Sequence, residues 1–129
     1  MRRTLLAALL LLPLSAFAQQ ATQPQPQDQD WLPKRVAELQ MLDKVTARVT
    51  VLRAPVGQPV QFGALTILVR ACDARPPDEV PDAAAFLEMT DSRRPADAQE
   101  VFHGWMFANA PGVNMLEHPV YDVRVLDCR

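Results

Sequence analysis

The sequence predicts an all-β protein, a small β-sandwich or barrel preceded by a short helix and a disordered tether. Three observations predict it. Apolar and polar residues alternate over 45–53, the pattern of a strand with one buried face, and the apolar-rich runs 65–72 and 120–128 read as further strands. Gly and Pro punctuate the intervals, as in Pro55-Val56-Gly57-Gln58-Pro59 and Pro111-Gly112, which is turn chemistry. Finally, 129 residues hold one compact domain, and 49% apolar residues suffice for a modest core, which excludes wholesale disorder.

Residues 1–18 read as a cleaved secretory signal. Met1-Arg2-Arg3 is a positive leader, Leu5 to Leu14 is apolar apart from Pro13, and Ser15-Ala16-Phe17-Ala18 places small residues where a signal peptidase inspects them. The apolar run is shorter than the roughly 20 residues that span a bilayer. Gln19 rather than Cys follows Ala18, so no lipid anchor is expected. The expected location is periplasmic, without membrane insertion after cleavage. Residues 19–30 contain six Gln, two Pro and no large apolar side chain; a segment with nothing to bury is a disordered linker.

The β-rich domain then runs over 31–129. Leu32, Val36, Leu39 and Leu42 recur at spacings of four, three and three, with Pro33 in the first turn and Asp30 as cap, predicting a short helix over 31–42. The run 45–53 follows as a strand that buries Val45, Ala47, Val49 and Val51 against Thr46, Arg48 and Thr50 outside. Val60-Gln61-Phe62 is a short extended piece, and Gly63 separates it from the strand that ends at Cys72. After the Pro-rich loop 75–82, residues 84–90 are extended and 91–98 form a polar loop. The run 101–108 carries apolar side chains on both pleat faces, predicting a central strand covered on both sides. One helical turn is expected within 109–117, before the last strand, which ends at Cys128.

Charge narrows the function. Thirteen Lys and Arg stand against fifteen Asp and Glu, and the balance becomes more acidic once Arg2 and Arg3 are removed. Non-specific nucleic-acid binding needs clustered cations, so no nucleic-acid partner is expected. Two cysteines, Cys72 and Cys128, in an oxidising compartment predict a disulfide. Such a long closed loop contributes roughly 4 kcal/mol to stability. Neither Cys-x-x-Cys nor a nearby metal-ligand spacing competes with that reading.

Three segments carry a family resemblance. These are Pro55-Val56-Gly57 with Val60-Gln61-Phe62-Gly63 and Cys72; Val101-Phe102-x-Gly104-Trp105-Met106-Phe107-Ala108; and Glu117-His118-Pro119-Val120-Tyr121-Asp122 running to Asp127-Cys128. Together, over roughly 42–129, they resemble the domain of unknown function 2155 family of small exported proteobacterial proteins. In that family the strand after Tyr-Asp commonly bears an aromatic residue, where this chain has Arg124. The resemblance implies a periplasmic β-rich domain with a paired cysteine, and it implies no activity.

Two groups of residues are candidates for chemistry. His103 and His118, with Glu117 or Asp122, offer the donor types of a His-His-carboxylate metal site. The competing reading gives both rings structural hydrogen bonds. Phe102, Trp105, Phe107 and Tyr121 form an aromatic set that belongs chiefly to the core, with one pleat face available as a binding patch. No Gly-x-Ser-x-Gly, His-Glu-x-x-His or phosphate-binding Gly loop occurs, and four Gly leave little material for one. No catalytic residue and no cofactor are assigned. The sequence points to a non-enzymatic periplasmic binding or scaffolding module whose partner is another envelope protein. The alternative is a small metal-dependent hydrolase using His103, His118 and Glu117.

Overall fold

The structure is a computed structural model that describes residues 31–129. The signal expected over 1–18 and the linker expected over 19–30 lie outside the described residues. The elements are strands throughout: β1 (Leu32–Pro33), β2 (Val36–Asp43), β3 (Arg48–Pro55), β4 (Val60–Phe62), β5 (Leu65–Ala74), β6 (Ala83–Asp91), β7 (Glu100–Phe107) and β8 (Tyr121–Cys128). They form two antiparallel sheets that do not close into a barrel. The larger has the order β1-β5-β6-β7, with β4 also pairing β5; the smaller has the order β3-β2-β8. From residue 31 the path therefore begins in the larger sheet, makes the β2–β3 hairpin, returns for β4 to β7 and places β8 beside β2.

Between the sheets lies one core. Ala37, Leu39 and Met41 of β2, Leu65, Ile67 and Val69 of β5, and Ala85, Leu87 and Met89 of β6 are fully buried there. Phe102, Met106, Val123 and Val125 extend it. Removing that apolar surface from water is the main force holding the sheets together.

The helix expected over 31–42 is a strand. Two periodicities coexist in this segment, and the helical one is accidental. Ala37, Leu39 and Met41 alternate with Glu38 and Gln40, and β2 is paired on both sides, by β3 and by β8. Those two ladders, with the inner face fully buried, override the local helical spacing. Leu32 is exposed, and Val36 and Leu42 are only half-buried.

β3 also departs from expectation, because its valine face points outward. Asp43 Oδ1 accepts from the amides of Val45 and Thr46 at 2.9 and 3.1 Å, and Ala47 takes φ of 56°. This side-chain-stabilised turn absorbs residues 44–47, so the strand begins at Arg48. Pairing of Leu39 with Leu52 and of Ala37 with Ala54 then sets Leu52 and Ala54 inward, leaving Val49 and Val51 more than half exposed. Similarly, β7 is an edge strand bonded to β6 alone, not a central one. The helical turn expected within 109–117 is absent; Val113 N donates to Ala110 O at 3.1 Å in a reverse turn.

Candidate functional site

The aromatic set splits between two environments, because successive side chains of a strand point to opposite faces. Phe102 and Tyr121 are buried in the core. Trp105 and Phe107 stand on the outer face of the larger sheet, where Trp105 is 37% exposed. Register supplies their neighbours: Phe86 opposes Trp105, and Ala84 opposes Phe107. The Phe86 ring meets Trp105 edge-on at 5.5 Å and His103 edge-on at 5.3 Å, the geometry aromatic quadrupoles favour. Beside them Trp31, Asp73, Ala84, Trp105 and Phe107 line an open groove of about 270 Å³. Its floor is a small residue, Ala84, between two large rings. The Arg75 guanidinium lies 4.3 Å from the Trp31 ring centre, a cation–π contact that steadies the groove's rim.

His103 borders this face and is half exposed. Its two nitrogens lie 3.8 Å from Glu88 and 3.5 Å from Glu100. Glu88 also pairs with Arg70 at 3.1 Å, and that hydrogen bond is the chief cause holding its carboxyl below the ordinary value, against the opposing effect of desolvation.

His118 belongs to a different place. It is buried, and its Nε2 lies 2.8 Å from Asp91 Oδ2. Its Nδ1 accepts from the amides of Val120 and Tyr121 at 3.0 and 3.1 Å, which assigns the proton to Nε2 and makes Asp91 its acceptor. Asp91 is held below the usual carboxylate range first by this hydrogen bond and next by the Arg93 amide, with desolvation opposing. Tyr121 Oη accepts from Arg93 Nη2 at 2.7 Å and from Ala64 N at 3.2 Å. Lys44 Nζ donates to the His118 carbonyl at 2.7 Å.

Gly63 completes this corner. Its φ is +57°, and a Cβ there would run into Tyr121 Oη, so both conformation and close approach require Gly. The two motifs Val60-Gln61-Phe62-Gly63 and Glu117-His118-Pro119-Val120-Tyr121-Asp122 thus meet as one latch between the sheets. Both His118 nitrogens are committed inside it, so this Asp–His pair has no nitrogen left to activate a nucleophile or bind a metal. Glu117 is exposed in the preceding loop. Among the described residues, no group of three or more His, Cys, Asp or Glu is arranged to hold a metal ion, and His103, His118 and Glu117 are not gathered into one.

At the other end of β8, Cys72 and Cys128 are brought to disulfide distance, with Cα atoms 5.5 Å apart across a sequence separation of 56. Both are buried. β8 is therefore tied to the larger sheet at its start by Tyr121 and at its end by Cys128.

Sequence reasoning missed Trp31, Phe86, Asp91 and Arg93. Phe86 carried a usable signal: it alternates with Ala85 and Leu87 in a strand, so it had to face the opposite side from the core.

The architecture is that of a small two-sheet β domain, cross-linked through its core, with an aromatic outer face and a polar latch. Residues 37–128 match the model of the family described as "Uncharacterized protein conserved in bacteria (DUF2155)", and the chain belongs to that family. It is also similar to "Uncharacterized protein RP359" of Rickettsia prowazekii (strain Madrid E), with 25% identity over 87 residues that cover 67% of this chain and 56% of that protein. The chain thus matches little more than half the length of this relative. No solved structure matches the chain.

Proposed function

We propose that this protein is a non-enzymatic binding module of the cell envelope, exported to the periplasm, which engages another envelope protein through the outer face of its larger sheet. The observation that carries the reading is the groove between Trp31, Trp105 and Phe107 above Ala84. It leaves large rings in reach of solvent, whereas His118 and Tyr121 of the distinctive motifs are consumed by the latch. Aromatic side chains are the usual anchors of protein interfaces because they bury much area at little entropic cost.

The test is affinity capture from the native envelope with the full exported chain and with Trp105→Ala and Phe107→Ala. Loss of one specific partner in both variants, with an unchanged far-UV spectrum, is the expected result. A partner retained by both variants would move the binding surface elsewhere. Stoichiometric zinc in periplasmically purified protein would favour the hydrolase reading instead.

A further inference from the structure

The groove on the larger sheet carries charge at one point of its lining. Strand register sets a single row across the outer face: Pro33 of β1 opposes Asp73 of β5, Asp73 opposes Ala84 of β6, and Ala84 opposes Phe107 of β7. Directly opposed residues share a face. Cys72 and Ala74, on either side of Asp73, are buried in the core, so Asp73 points outward with Ala84 and Phe107. Neighbouring strands lie about 4.8 Å apart, which separates Asp73 from Phe107 by about 10 Å. Ala84 fills the middle of that span with a methyl group alone, leaving a slot one long side chain wide. Trp31 and Trp105 complete the lining.

The Asp73 carboxylate makes no hydrogen bond or ion pair with any described residue, whereas Glu88 on the same sheet pairs with Arg70 at 3.1 Å. A carboxylate accepts hydrogen bonds and donates none, and the faces of the surrounding rings carry negative potential. Both properties select a cation that donates N–H groups. The rim already shows the ring half of this chemistry, where the Arg75 guanidinium lies over Trp31. That guanidinium is also turned to Glu79 at 3.8 Å, and Arg75 is not among the described residues that line the groove.

We infer that the groove binds a basic side chain of the partner, an arginine or a lysine. Its aliphatic stem lies over Ala84 between the rings, and its charged head meets the ring faces and Asp73. The inference rests on the outer face being the binding surface and names the chemistry which that surface selects.

Trp31 and Trp105 are the two tryptophans of the chain, and both line the groove, so their indole N–H signals in a heteronuclear NMR spectrum report its occupancy directly. The exported chain is titrated with the peptide Gly-Gly-Arg-Gly-Gly, with its lysine counterpart, and with a counterpart carrying citrulline, the neutral isostere of arginine. Both indole signals should move saturably with the basic peptides and stay in place with the citrulline peptide. Asp73→Asn should weaken binding by about tenfold with the remaining signals unmoved. Phe107→Leu keeps apolar bulk but removes a ring face, and should weaken it by a smaller factor. Equal shifts with citrulline overturn the inference, as does full affinity in Asp73→Asn. Indole signals that answer to an N-acetylglucosamine oligomer and to neither basic peptide also overturn it, and make the groove a sugar site. Envelope capture keeps this inference apart from the reading beneath it. A partner lost with Trp105→Ala and Phe107→Ala but fully retained with Asp73→Asn leaves the binding face standing and overturns its basic ligand; a partner retained by all three overturns the binding face itself.

Discussion

The molecule gathers rings and charges in two places, and the two behave oppositely. At the latch, Tyr121, His118, Asp91 and Arg93 are knitted together, and among the described residues no buried side-chain nitrogen or oxygen lacks a partner. On the outer face, Trp105 meets Phe86 edge-on and lines an open groove together with Phe107. The latch contains the more recognisable sequence motif, yet its groups are spent on holding two sheets in register. The outer face is built from plain alternate positions of β6 and β7, yet it is where large rings stay open to solvent. Distinctive residues are therefore a guide here to a structural constraint, and function is better sought where apolar surface is left uncovered.

The largest expected effect tests whether the latch alone can hold β8. Replacing both Cys72 and Cys128 by Ala removes the tie at the other end of the strand and should lower stability by about 4 kcal/mol, read as a shift in the urea midpoint. If the midpoint is unchanged, the latch suffices and the cross-link is dispensable.

Next, His118→Ala leaves Asp91 buried without its donor and strips the acceptor from two amides. A loss of about 3 kcal/mol is expected, again from denaturant unfolding. A comparable loss from His103→Ala would break the contrast, since His103 is half exposed and its partners remain hydrated.

Acid sensitivity separates the two regions more finely. The Asp91 carboxyl is depressed in the folded chain, so as pH falls the unfolded chain takes up this proton first. The stabilisation it contributes is complete above about pH 4 and is lost as pH drops through the lower native value. Asp91→Asn should flatten that acid limb in a series of unfolding curves against pH. Glu88 is depressed as well, but its pair with Arg70 sits on the outer face and is screened by solvent. Glu88→Gln should alter the limb less, and added salt should erase its effect first.

The smallest effect on stability belongs to Trp105→Ala. Loss of an exposed ring that rests on Phe86 should cost about 1 kcal/mol or less, measured as a small drop in melting temperature. Combined with a loss of partner capture, that result would sharpen the contrast between a face that binds and a corner that holds.

Much of the fold was legible. The strand character of β5 and β8, the turn residues between 55 and 59, and the pairing of Cys72 with Cys128 follow from side-chain chemistry along the chain. β2 was misread because Leu32, Val36, Leu39 and Leu42 satisfy a helical period while Ala37, Leu39 and Met41 satisfy a strand period. A single segment does not say which set will find a core. The outer aromatic face was half legible: the pleat separates Trp105 and Phe107 from Phe102, but their neighbours Trp31 and Phe86 lie far away in sequence.

By itself the sequence determined the strand chemistry, the turns and the cysteines available for a cross-link, because these depend on residue identity and local period. Tertiary structure alone decided which side of each strand meets the core. Alternation reports which side chains share a face, not which face another sheet will cover. Val49 and Val51 are turned outward because the Asp43 turn sets the hairpin register, and Trp105 is left exposed because no third layer packs on β7 among the described residues. The same limit hid the latch, since Gly63, Asp91 and His118 become neighbours only when β8 crosses back beside β2.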